Sequence, residues 1–113
     1  MDLTYSDFHA FADALDKAMD LKSSREYIQT TGNGETKNTG QLTFSVVKLG
    51  REVAHISVYV HSDGFSTAMR FTSPGGDYFG PKIEVKGIHT TKHAEVLAVL
   101  LKDPGITRGI RIS

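Results

Sequence analysis

Leu42-Thr43-Phe44-Ser45-Val46, Ala54-His55-Ile56-Ser57-Val58-Tyr59-Val60 and Phe65-Ser66-Thr67-Ala68-Met69-Arg70-Phe71 are three runs in which every second side chain is apolar, Thr67 excepted. A two-residue period sends alternate side chains to opposite faces of a strand, so each run predicts a strand with one buried face. Burial also sets the register, because a slip of one residue would turn every side chain over. Closing the second hairpin through His61-Ser62-Asp63-Gly64 sets Val58 opposite Thr67, Ile56 opposite Met69 and Ala54 opposite Phe71. On the other face His55 then meets Arg70. Pairing Leu42, Phe44 and Val46 with Val58, Ile56 and Ala54 requires an odd-length loop, such as Leu49-Gly50-Arg51, which brings Ser45 beside His55.

The polar face of this meander therefore carries the row Ser45, His55, Arg70 and the row Gln41, Tyr59, Ser66, with Thr43 and Ser57 between them. Hydroxyls, an imidazole, a guanidinium and one aromatic ring suit hydrogen bonding to a phosphate, a nucleotide or a polar protein surface. A solvated sheet face is also rich in Ser and Thr, so composition alone does not separate a site from a surface.

Outward from the meander, Thr4 and Asp7 form a variant of the capping box, with Leu3 and Phe8 placed as a hydrophobic staple. Tyr5, Phe8, Phe11, Ala12, Leu15, Ala18 and Met19 then recur at helical steps and predict a helix with one apolar stripe. A short strand is expected over 26–31, followed by a mobile loop over 31–40, where Gly, Asn and Thr show no periodicity. Ser73-Pro74-Gly75-Gly76-Asp77-Tyr78-Phe79-Gly80-Pro81 reads as a turn, and 82–86 as a further strand. Thr90 or Thr91 caps a second helix whose run Val96-Leu97-Ala98-Val99-Leu100-Leu101 is apolar nearly all round and predicts burial, stopped by Asp103-Pro104-Gly105. Ile110 and Ile112 propose a last strand. The sum is one α+β domain over 1–113: an N-terminal helix, a mostly antiparallel sheet of about five or six strands, and a second buried helix before the C-terminal strand.

Composition removes several classes of function. The 113 residues contain no Cys, which excludes disulfides, iron–sulfur clusters, thiolate zinc sites and Cys nucleophiles. Thirteen basic residues balance thirteen acidic ones, against the clustered cationic excess of a duplex-binding domain, so no duplex DNA is expected. The balance is uneven: residues 1–35 hold seven acidic and three basic side chains, and residues 36–113 hold six and ten, giving halves of −4 and +4. Such halves can orient two copies of the chain or steer an anion, and a polar helix covering a sheet produces the same split. No basic segment followed by an apolar run opens the chain, and no stretch reaches the length of a membrane span, so a reducing, cytoplasmic setting without a membrane partner is expected.

Three possible chemistries are weak in this sequence. His93-Ala94-Glu95 is like the His-x-Glu element of zinc deaminases, but the Cys ligands that complete it do not exist here. His89 and His93 share a helical face only if the helix begins before Thr90, so no metal site and no cofactor is assigned. Ser45 beside His55 suggests a nucleophile and its base, yet the imidazole's expected neighbour is Arg70, not the orienting acid of a triad. No catalytic residue is therefore assigned.

The leading reading is a noncatalytic binder that sequesters a small anionic ligand such as a nucleotide, through Ser45, His55, Ser57, Tyr59 and Arg70. Tyr78 or Phe79 would stack on a base, and Arg108 and Arg111 would extend a basic rim. Short chains that act stoichiometrically include, by analogy, viral and mobile-element accessory proteins. The alternative is a protein–protein inhibitor or immunity-type partner of an enzyme, docking through a sheet edge, the acidic helix or the segment 32–40. A weak hydrolase or nuclease using His55 is third. Complementary charge halves and a free edge strand are compatible with a homo-oligomer.

Overall fold

Helix α1 (Tyr5–Met19) starts where Thr4 Oγ1 accepts the amide of Asp7 at 3.1 Å in the computed structural model, which describes residues 3–61, 64–73, 76–86 and 91–107. Leu3 and Phe8 are both buried beside that cap, as a staple requires. The helix closes on Asp20 in the left-handed region (φ 55°), with Asp20 N donating to Lys17 O and Leu21 N to Asp16 O, the two bonds of a Schellman motif. Phe8, Phe11, Ala12, Leu15 and Met19 form its buried stripe. Tyr5 stands outside that stripe, exposed, with its ring 4.2 Å from His9 and 5.6 Å from Tyr27.

The sheet is antiparallel in the order β1 (Ser24–Gly32), β2 (Glu35–Lys48), β3 (Arg51–His61), β4 (Gly64–Ser73), β5 (Gly76–Phe79). A short β6 (Glu84–Lys86) pairs with the beginning of β4, on the edge whose other half is taken by β5. The register is the one that alternation predicts: Ser45 faces His55, His55 faces Arg70, Ile56 faces Met69 and Ala54 faces Phe71. Leu42, Phe44, Val46, Ala54, Ile56, Val58, Val60, Phe65, Met69 and Phe71 point together into the core beneath α1.

Two turns differ from expectation. The odd parity between Val46 and Ala54 does not come from a three-residue loop. Leu49 (φ 54°) and Gly50 (φ 78°) make a two-residue turn with two left-handed residues, and the extra residue enters as a β-bulge between the Val46–Ala54 and Val47–Glu52 pairs. The segment 31–40 is no loop: Asn33 (φ 52°) and Gly34 (φ 77°) make the same turn, and β1 and β2 pair from Gly32–Glu35 inward. Its strands lack apolar alternation because this end of the hairpin is exposed.

The expected turn over 73–81 contains β5. Helix α2 (Thr91–Leu101) buries Ala94, Leu97, Ala98 and Leu101 but leaves Val96 and Val99 exposed, so it is not buried all round. It lies against α1, where Lys102 Nζ donates to Ala18 O at 2.6 Å, and a helix covered from one side needs only one apolar stripe. Asp103 ends α2 and at once caps a helical turn, α3 (Pro104–Thr107), accepting the amide of Gly105 at 2.8 Å. Thr90 as a cap and the strand proposed at Ile110 and Ile112 lie outside the described residues. No helix among the described residues is long and apolar enough to cross a membrane.

A salt-bridged clamp fixes α1 to the sheet. Arg25 Nη2 lies 2.7 Å from Asp13 and 2.9 Å from Asp16, while Ser23 donates to the other oxygen of Asp16 at 2.6 Å. At the other end of the helix, Leu3 O accepts from Tyr27 Oη at 2.7 Å and from Asn38 Nδ2 at 3.2 Å. Between them the Phe8 ring lies against Gly40, where any Cβ would overlap it. Gly40→Ala should therefore cost about 1–3 kcal/mol in urea unfolding, whereas Gly32→Ala, with nothing within 4 Å of its Cβ, should cost far less. Equal midpoints for the two variants would refute this account of the helix–sheet contact.

Candidate functional site

The face away from the helices collects the polar half of each strand. Strand pairing lines up Ser45, His55, Arg70 and Phe79 in one row, Thr43, Ser57 and Ala68 in the next, and Gln41, Tyr59, Ser66 and Glu84 in the third. His55 and Arg70 thus share a face. Ser57 faces this way but is almost covered, which leaves it little part in outside contacts.

Tyr78 is on the opposite side. It pairs with Phe71, whose side chain is in the core, and the two rings stack at 6.1 Å between centroids. Phe79, next in sequence, faces outward and is 71% exposed. Arg108, Arg111 and His89 lie outside the described residues, and no group of three metal-ligating side chains is found among those described.

The residue that organises the row is Glu52. Its carboxylate accepts the Ser45 hydroxyl at 2.5 Å and an Arg70 Nη2 donor at 3.3 Å, and lies 3.8 Å from His55 Nδ1. Uninterrupted alternation would place Glu52 with Ala54 and Ile56, on the core side; the bulge turns it outward. That conflict was the available signal, since a carboxylate at a core position without a partner is costly enough to demand a local change of register.

The Ser45 hydrogen bond, then the nearby His55 and Arg70, hold the Glu52 carboxyl below the usual carboxylate range, partly offset by desolvation. The Ser45 hydroxyl donates to Glu52 and not to the imidazole, unlike the nucleophile and base of a triad.

Beside this row the sheet face dips. Gly80 N donates to Met69 O and Thr67 N to Ile83 O, so the edge strand loses its regular pairing between β5 and β6. A shallow depression of about 330 Å³ opens there, with Ala68 in its lining, Tyr59 and Phe79 as its aromatic walls, and Ser66 and Lys82 alongside. Tyr59 is 37% exposed. The two rings stand two strands and four residues apart, roughly 10 Å across and 13 Å along the sheet at standard spacings, too far to sandwich one ring between them. Each is a separate stacking platform. Ala68, Lys82 and Glu52 were not singled out by the sequence pattern.

No protein-family model, characterised protein or solved structure matches the chain.

A carboxyl whose folded pKa is lowered stabilises the fold fully above the ordinary carboxylate range, and that contribution fades as pH falls through the lowered value. Ser45→Ala removes the largest cause, so the Glu52 titration midpoint, followed by side-chain NMR, should move up toward the ordinary value. An unmoved midpoint would assign the effect to His55 and Arg70 instead.

Proposed function

We propose that the outer sheet face is a noncatalytic binding site for a nucleotide-type ligand: planar and stackable at one end, anionic at the other. The observation that carries this reading is the pair of exposed rings, Tyr59 and Phe79, lining a depression that also takes in Lys82, with Arg70 paired directly to Phe79. Aromatic rings beside cations are the combination that stacks a base while holding its phosphate. The protein side chains required are few, since every base offers a π-face and a guanidinium can bind phosphate through two donors.

Glu52 has a definite part in this. Its contact with Arg70 occupies one guanidinium nitrogen and fixes the orientation of the group, while its negative charge opposes a phosphate. Affinity is therefore set by competition between a fixed carboxylate and a ligand for the same cation. The interaction is suited to reversible capture, and nothing in it requires a bond to be broken.

The protein–protein inhibitor reading also has a specific observation in its favour, a hairpin tip at the end of this same face that exposes Leu49 between Lys48 and Arg51. The hydrolase reading lacks one, since Ser45 and His55 are cross-strand neighbours but the Ser45 hydroxyl donates to Glu52.

Titration calorimetry against mononucleotides and dinucleotides tests the site. Stacking on an aromatic side chain contributes about 1–3 kcal/mol per base, so Phe79→Ala, which removes the platform beside Arg70, should weaken mononucleotide binding about 5- to 150-fold, and Tyr59→Ala should weaken dinucleotide binding by the same order. Arg70→Ala should weaken it too, whereas Glu52→Gln, which removes the competing charge, should strengthen it. Absence of any nucleotide response, or equal affinities for wild type and Arg70→Ala, would overturn the proposal.

A further inference from the structure

The chain builds one turn geometry twice with different residues. Asn33-Gly34 and Leu49-Gly50 have first-residue φ values of 52° and 54° and second-residue values of 77° and 78°. Asn and Gly are the residues such a turn favours, because both tolerate the left-handed region. Leucine does not, and at position 49 it is fully exposed and gains no burial for the conformation it adopts.

Two further features at the same tip work against the fold. The pair that closes the turn is Lys48 opposite Arg51, and like charges directly across a strand pair repel. Val47, one residue further in, leaves 59% of its surface to solvent. The tip also stands clear: β1 begins at the level of Thr43, and β2 continues five residues beyond it, 44–48, before turning.

An unfavourable backbone conformation, a bare leucine and two opposed cations at one projecting point are jointly explained by a surface that supplies what the fold does not. We infer that the Leu49 hairpin tip is a docking element for another protein, one whose contact site is an apolar pocket bordered by Asp or Glu side chains. Leu49 fills the pocket, Val47 covers its margin, and the carboxylates relieve the repulsion between Lys48 and Arg51. A two-residue turn between paired strands is already ordered, so little conformational freedom is lost on docking. An anionic membrane is the poorer occupant, because one leucine beside two cations is a small anchor for a lipid surface. This inference is independent of the nucleotide site, whose residues it does not use.

Leu49→Asn and Leu49→Gly restore residues that the turn prefers. Each should raise the thermal midpoint by a few degrees. A photo-crosslinking residue at position 49, in the cells that produce the protein, should yield one dominant protein adduct mapped next to Asp or Glu side chains. With that protein purified, both variants and the double variant Lys48→Ser/Arg51→Ser should bind at least tenfold more weakly than wild type, while nucleotide titrations stay unchanged.

Loss of binding together with gain of stability is the signature that a structural role for Leu49 would not produce. The inference is overturned if no protein adduct forms, or if purified partner binds the variants as tightly as wild type. It is equally overturned if Leu49 is needed instead for binding phosphatidylserine vesicles or for self-association in sedimentation.

Discussion

Everything in this fold depends on the parity of the path from Val46 to Ala54. Seven residues, 47–53, separate two side chains that both belong to the core. A two-residue turn alone would join the strands with an even count and turn one of them over. The β-bulge between the Val46–Ala54 and Val47–Glu52 pairs supplies the odd residue, and with it both faces are correct at once. Leu42, Phe44 and Val46 meet Val58, Ile56 and Ala54 under α1, and Ser45 and His55 meet outside. The same irregularity turns Glu52 from the core side to the polar side, where its carboxylate becomes the acceptor joining three strands. One local departure from regular pairing thus provides both the packing of the core and the electrostatics of the opposite surface.

How much of this was legible in the sequence follows from where burial repeats. The three central strands, their register and the cap at Thr4 were readable because each alternation or helical stripe reports a buried surface. The β1–β2 hairpin was not, although Asn33-Gly34 is a strong turn signal, because its flanking Thr, Gln, Lys and Asn residues carry no apolar period near the exposed tip. Tyr78 and Phe79 show the same limit on a smaller scale: placing one in the core and the other outside requires knowing that β5 exists and that Phe71 is the partner of Tyr78. The fully apolar look of α2 misled in the other direction, since Val96 and Val99 satisfy helix formation without being covered. Glu52 is not legible in the pattern, because a three-residue loop over 49–51 would set it opposite Lys48 on the core side, and only the bulge turns it out beside Ser45 and Arg70.

The uneven charge of the two halves also acquires a physical account. Part of the acidic excess of the N-terminal segment is engaged inside the molecule, where Asp13 and Asp16 hold Arg25 and so tie α1 to β1. Arg70 is the corresponding case on the other face, held by Glu52 but still half exposed. The difference lies in what remains reachable. Arg25 is mostly enclosed between helix and strand, with two carboxylates and the His9 imidazole around it. A guanidinium with one carboxylate and an open side can change partners, and one clamped by two cannot without releasing the helix.

The depression beside Arg70 has a structural origin that does not depend on any ligand. A sheet edge with regular free donors and acceptors invites another strand, and this edge is interrupted between β5 and β6. Pro81 has no N–H to offer, the Ile83 carbonyl accepts from Thr67, and the Ile83 amide turns to the Thr67 hydroxyl. Gly80 lets the backbone pass close to the core at this point, since a Cβ there would come within 2.5 Å of the Phe71 ring and 3.2 Å of Met69. The chain is therefore drawn inward behind Phe79, and the surface over Ala68 is left uncovered. An edge broken to avoid continued pairing and a hollow walled by aromatic rings are one feature seen from two sides. A larger side chain at Ala68 would fill the hollow while leaving the edge as it is, which separates the hollow from the pairing that creates it.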